Sequence, residues 1–248
     1  MFIHKNIHPR QKHGILICLP KLNGDHTPEG YRPISLLTTE YKILARILAN
    51  RLRHFLAGEL QHKQYCGVPG LSILDAVAKV RDILAHHETT GTPLCILTLD
   101  FHNAFDRISH AYLFRTLRAY GISEWFIERI QALYTNATAS VQINGTLTGP
   151  ISIQSGVRQG CPLSMILYAA CLHPFLRSMT DILPPLRIGQ RKQYIPVLAY
   201  ADDATVCHPT GRVHRHPTSI TTLRKSHGSA SKHKEIKSLG HWKMGGTC

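Results

Sequence analysis

Three aspartates hold the chemistry this sequence offers. Asp100 closes the apolar run PLCILTLD, and Asp202 and Asp203 stand side by side in LAYADDATV. Apolar segments flank the four residues Ala201-Asp202-Asp203-Ala204, so the flanks read as buried strands and the link as a tight hairpin turn. A solvated surface turn is the plain alternative, because Asp is a common turn former. If the strand ending at Asp100 neighbours this hairpin in one sheet, three carboxylates converge. Like charges held together repel unless a cation joins them. Hard oxygen ligands select Mg²⁺ over softer metals, and a carboxylate-bound pair of such ions suits in-line displacement at phosphorus.

Composition narrows the substrate. The chain has 248 residues, with 29 Lys and Arg against 15 Asp and Glu, a net charge of +14. A surplus of that size favours a polyanionic partner, most commonly nucleic acid. An acidic lipid surface is the competitor, but the sequence has no basic amphipathic helix of the membrane-binding kind and no run long enough to span a bilayer. Seven cysteines, an odd number without a C-x-x-C pair, lie mostly in apolar contexts such as LCILTLD and YAACLH. They read as reduced core thiols of an intracellular protein. The start, MFIHKNIHPRQKHG, is polar and basic and lacks a secretory pattern. Paired metals on a basic chain point to nucleotidyl transfer.

The elements that must position these groups follow from periodicity. Residues 14–22 (GILICLPKL) read as a buried strand. TTEYKILARILANRLRHFLAG reads as a helix capped by Thr38 or Thr39 and ended by Gly58. Its Tyr41, Leu44, Leu48, Leu52 and Phe55 share one face. Lys42, Arg46 and Arg53 fall on the opposite side, either a basic stripe that tracks a phosphate backbone or a solvated face. Residues 72–88 form a second helix, PLCILTLD a central strand, and 109–134 a helical stretch interrupted near Gly121. Asn144-Gly145 marks a hairpin. Pro162 suits the first position of the next helix, which Pro174 should kink or break. From 208 to 248 the chain turns polar, with eight Lys and Arg against one Glu, half of the net charge. It reads as a flexible tail.

Five segments, in order, resemble reverse transcriptases: YRPISLLTTEYKILARILANRLR, HKQYCGVPGLSILDAV, LTLDFHNAFDRI, SGVRQGCPLS and YADD. The nearest kind is the polymerase of non-LTR retrotransposons, the long interspersed element type, and the similarity runs from about Ile15 to Val206. A group II intron maturase relative fits the AFD and QGCPLS segments less well. The resemblance implies an α+β fold of the right-hand polymerase type: fingers in residues 1–90, a palm in 91–207 with an antiparallel sheet backed by helices, and no thumb. It implies that Asp100 and Asp202 bind metal, with Asp203 beside them as a ligand or only an orienting group, and with the Phe101 carbonyl completing a shell. Phe105 falls at the steric-gate position, where a ring excludes a ribose 2′-hydroxyl; a core aromatic is the alternative. Asp106 would hold a turn or pair with Arg107. Gln159 and Gly160 would lie along the template and incoming base. Lys21 and Arg32 would grip the triphosphate, unless they are ordinary surface cations.

The implied function is RNA-directed DNA polymerase. The cofactor would be two Mg²⁺ ions, with Mn²⁺ as a substitute. The partners would be an RNA template, a DNA primer and deoxynucleoside triphosphates. The competing function is an inactive remnant that binds nucleic acid by charge. Departures are small within the motifs: His102 stands in FHNAFD, and Met165 follows QGCPLS. After Val206 the match fades to a trace at KSLGHW, so the chain reads as a fragment of a longer element protein.

Overall fold

The computed structural model describes residues 7–21, 27–61, 63–183, 185–188, 192–194, 196–209 and 221–223. A short helix, α1 (Pro9–Lys12), leads into the antiparallel hairpin of β1 (His13–Pro20) and β2 (Tyr31–Leu36). Two long helices follow, α2 (Thr39–Leu60) and α3 (Ile73–Thr90), then β3 (Leu94–Asp100). The pair α4 (His110–Ala119) and α5 (Glu124–Tyr134) breaks at Gly121, whose φ is +77°. Next come β4 (Thr138–Ile143), β5 (Thr146–Leu147) and β6 (Ile151–Ser152), then α6 (Ser164–Ile182). The hairpins β7 (Leu186–Ile188)–β8 (Lys192–Tyr194) and β9 (Val197–Tyr200)–β10 (Asp203–Pro209) follow, with β11 (Thr221–Leu223) last.

Two sheets organise these strands. In the first, β1 pairs with β2 and, in parallel, with β4, which also takes β5 and β6. This sheet joins residues on both sides of position 90. The second has the order β11-β3-β10-β9. β3 is internal, as its continuous apolar run requires. The sheet was expected to be antiparallel. β3, β10 and β9 are, but β11 pairs with β3 in parallel. Residues 221–223 therefore form a strand within the stretch read as a flexible tail. The rest of 208–248, apart from 208–209, lies outside the described residues, as does KSLGHW.

The helical core is formed by α2, α4, α5 and α6, with Val197, Ala199, Ala204 and Val206 of β9 and β10 packed into it. α2 settles one expectation and corrects two. Thr38 caps it, its Oγ1 accepting from the Tyr41 N–H at 3.3 Å. Gly58 does not end it. A glycine stops a helix by turning left-handed, as Gly91 does after α3 at φ +62°, and Gly58 has no positive φ. Phe55 is 55% exposed, while Leu56 and Leu60 are fully buried. The buried stripe runs by fours through Leu48, Leu52, Leu56 and Leu60, rotating about 40° at each step, away from Phe55.

Pro174 neither breaks nor ends α6. Proline removes the N–H that would bond the carbonyl of Ala170. The Tyr120 hydroxyl takes up that carbonyl at 3.3 Å, and the Tyr112 hydroxyl bonds the next one, of Cys171, at 2.9 Å. Pro162 lies just before α6, within the turn that leads into it. Asn144 and Gly145 both have positive φ, as a type I′ turn demands. The six cysteines among the described residues are free. No helix among the described residues is long and apolar enough to cross a membrane.

Candidate active site

Asp100 is the last residue of β3, and its partner across the sheet is Asp203, the first residue of β10. Cross-strand partners point to the same face, with Cβ atoms about 4.5–5.5 Å apart. Reading back along that face, Thr98 pairs with Thr205, and Ile96 with Cys207. The face is sealed at the far end, where Ile83 of α3 and Leu186 of β7 pack on Ile96 and Cys207. It opens toward the aspartates, with Thr98, Asp100 and Asp203 exposed. The carboxylates thus sit at the uncovered end of a strand pair whose other end is anchored in the core.

The hairpin tip differs from the four-residue link read in the sequence. Tyr200 pairs with Asp203, so the loop is only Ala201 and Asp202. Two-residue hairpin loops favour positive φ at their first position. Ala201 supplies it at +55°, a conformation that costs a non-glycine residue about 1–3 kcal/mol. Gln64, fully buried, meets that residue directly. Its Nε2 donates to the Ala201 carbonyl at 3.1 Å, and its Oε1 accepts from the Ala201 N–H at 3.0 Å.

Asp203 senses the other two charges. Burial first, then the negative charges of Asp202 and Asp100, hold the Asp203 carboxyl above the usual carboxylate range. The Tyr168 hydroxyl on α6 is pushed up by burial first, with Asp202, Cys171, Asp203 and Asp100 adding to it. The set is all oxygen, the donor chemistry of a hard dication. Among the described residues no three His, Cys, Asp or Glu side chains already stand close enough to share one ion. The fit is therefore in donor type and shared field, and the side chains must close on a cation to hold it.

Two aromatic rings border this acidic end. Phe105 stacks on Tyr168, centroids 4.7 Å apart and planes at 10°. Phe101, immediately after Asp100, meets Phe175 edge-on at 5.7 Å. The loop holding Phe105 is tied to the segment before α6. The Val157 N–H bonds the Phe105 carbonyl and the Gly156 N–H bonds that of Ile108, both at 2.7 Å. Gly156 has φ +84°, and a Cβ there would lie 2.8 Å from the Asp106 Cα. Asp106 holds this turn through its backbone, its N–H bonded to the Asn103 carbonyl at 3.0 Å. No ion pair joins it to Arg107 among the described residues.

The same segment reaches the other sheet. The Ser35 N–H of β2 donates to the Gln159 carbonyl at 2.7 Å, and a Cβ on Gly160 would stand 2.6 Å from the Ser35 carbonyl. Gly160 is at φ +99°, so only glycine makes this approach without strain. Arg32 lies on β2 opposite Leu19, and Lys21 follows β1 with its N–H bonded to the Gly30 carbonyl at 2.8 Å. Ser35, Asp106, Gly156 and Gln159 line a cleft of about 320 Å³ that the three aspartates do not reach. Of the stripe on α2, Lys42 and Arg46 are exposed. Arg53 is half-buried, its Nε enclosed without a hydrogen-bond partner, so it does not continue an open row of cations. Nothing in the sequence marks Gln64 or Tyr168, because neither spacing nor charge distinguishes a glutamine beside a helix end or a tyrosine on an apolar helix.

Known proteins resemble this chain in sequence and in fold. Residues 19–235 match the family described as Reverse transcriptase (RNA-dependent DNA polymerase). The chain is 39% identical over 192 residues to the Transposon TX1 uncharacterized 149 kDa protein of Xenopus laevis, covering 77% of this chain and 15% of that protein. It is 30% identical over 236 residues to the retrovirus-related Pol polyprotein from type-1 retrotransposable element R2 of Popillia japonica, covering 93% of this chain and 32% of the relative. The chain thus spans a minor part of these relatives. A structure of telomerase from Candida albicans, complexed with a TWJ fragment of telomeric RNA, superposes with a TM-score of 0.55. The match has 14% identity and covers 80% of this chain and 37% of that one, a likeness of fold.

Proposed function

The chain belongs to the reverse transcriptase (RNA-dependent DNA polymerase) family, and on that premise we propose that it extends a DNA primer along an RNA template. Asp100, Asp202 and Asp203 would hold the Mg²⁺ ions in this reading, with the Phe101 carbonyl beside them and Mn²⁺ as a substitute. The observation that carries it is the opposition of Asp100 and Asp203 in register, with Asp202 in the adjoining turn. Magnesium bound there would activate the primer 3′-hydroxyl and offset the charge of the departing pyrophosphate.

The chain's own residues do the rest. Asp100 and Asp203 present their oxygens from one face of a rigid strand pair. Phe105, supported by Tyr168, closes the space a ribose 2′-hydroxyl would need and so selects deoxynucleotides. Gln159 and Gly160 bring backbone close to the templated base pair. Lys21 and Arg32 bind the triphosphate. Lys42 and Arg46, with a lesser part for half-buried Arg53, attract the nucleic-acid backbone. Residues 1–90 make up the fingers, 91–207 the palm, and the basic stretch 208–248 adds to the attraction.

Primer extension on an RNA template with the purified chain tests this reading. Extension should require Mg²⁺ and disappear in Asp202→Ala. Salt-sensitive binding without extension, unaffected by that substitution, would leave only a charge-driven binder.

A further inference from the structure

We propose that Gln64 is a positioning residue for the acidic hairpin: its side-chain amide sets the left-handed Ala201 turn and so fixes where Asp202 and Asp203 are presented. This rests on the reading of those aspartates as the magnesium-binding site.

The backbone on either side of Gln64 runs along β9 like a short parallel strand. The Tyr65 N–H donates to the Ala199 carbonyl at 2.8 Å, and the Ala199 N–H donates to the Lys63 carbonyl at 2.7 Å. That ladder would stop at Ala199. The Gln64 side chain carries it two residues further, into the turn. One amide both donates to and accepts from the backbone of Ala201, as a neighbouring strand would. Its Oε1 also accepts from the Cys66 N–H at 3.0 Å, which anchors it from the other side. A carboxamide offers a donor and an acceptor side by side without having to take up a proton.

The need for this clamp lies at position 201. Glycine adopts positive φ freely and alanine does not. The turn therefore depends on an outside contact to stay left-handed. A relaxed turn would redirect Asp202 and, through the Tyr200–Asp203 pairing, disturb the opposition of Asp203 and Asp100. Burial of Gln64 with no purpose beyond satisfying its own polar atoms makes the opposite prediction, that changing residue 201 has no bearing on its loss.

The test combines Gln64→Met, Ala201→Gly and the double variant in the full chain. Gln64→Met should speed amide hydrogen exchange at Ala201 at least tenfold, with exchange in the α5 and α6 core unchanged. In primer extension it should lower kcat at least tenfold with KM for the deoxynucleotide nearly constant, and raise the Mg²⁺ concentration for half-maximal rate. Adding Ala201→Gly should restore most of the lost kcat, because glycine holds the turn unaided. Wild-type exchange at Ala201 in Gln64→Met, or a double variant as slow as the single one, overturns the proposal. If Gln64→Met does not fold, Gln64→Asn, one methylene too short to reach both atoms, is judged by the same exchange and the same rescue. If the wild-type chain extends no primer, the polymerase reading fails, and exchange at Ala201 still decides the clamp.

Discussion

The ring of Phe105 lies flat against that of Tyr168, centroids 4.7 Å apart. Stacking of this kind adds about 0.5–1.5 kcal/mol beyond area burial and fixes the ring's plane. If Phe105 screens the sugar, Phe105→Ala should raise ribonucleotide use relative to deoxynucleotide use by about 10- to 200-fold, the range for a small group in a fitted pocket. Tyr168→Leu should move the ratio the same way, by less. Competition assays with matched nucleotide pairs measure it. An unchanged ratio would make Phe105 a core ring only.

Asp203 sits against two like charges, so removing its own should relieve repulsion. Asp203→Asn is expected to melt higher than wild type in magnesium-free buffer, with the difference shrinking as Mg²⁺ is added. The same substitution should lower primer extension by on the order of 10²–10³-fold or more. A melting temperature indifferent to both the substitution and the ion would show that the carboxylates do not share a site.

Tyr120 and Pro174 are coupled through the Ala170 carbonyl. Tyr120→Phe should destabilise the fold by about 1–3 kcal/mol by leaving buried groups unpaired. In a Pro174→Ala background the restored N–H can take that carbonyl, so the same change should cost less. Urea unfolding of the four proteins gives a coupling of at least about 0.5 kcal/mol if the hydroxyl replaces the missing helix bond. Strict additivity would refute it.

His173 gives the fold a pH dependence. It is buried, and its Nδ1 lies 2.8 Å from the Tyr120 hydroxyl. Burial first, then the charge of Lys63, lower its pKa from 6.5 to about 4, with Glu59 pulling the other way and Arg177 adding a lesser push down. Between those values the unfolded chain takes a proton there that the folded chain refuses. Stability should therefore fall as pH drops from 6.5 toward 4, by about 3 kcal/mol in full. His173→Gln should flatten that part of the curve in urea unfolding across the window. Parallel curves for the two proteins would assign the loss to other groups.

Much of the site was legible because its signals are local. An aspartate after a branched apolar run and a pair of aspartates between two apolar runs announce themselves, and so does the helix that Thr38 caps. What escaped depends on partners distant in the chain. Pro174 looks like a helix breaker until Tyr120 is seen to replace its hydrogen bond. Gly58 looks like a stop until Leu60 is found buried. Phe55 and Arg53 sit on the expected faces of an ideal helix, yet the surface that α2 packs against turns under it, exposing one and half-covering the other. The sequence implies a loop two residues longer than Ala201–Asp202 because alanine gives no hint of a left-handed turn.

The segment from Gly156 to Gln159 is bonded at one end to the loop of Phe105 and at the other to Ser35. Within the polymerase reading, the checks on sugar and on base pairing are therefore mounted on a common lever. A change at β2 that lifts Gln159 would drag the ring on the far side with it. Errors of the two kinds should rise and fall together, and a variant that loosens one alone would have to act outside this strap.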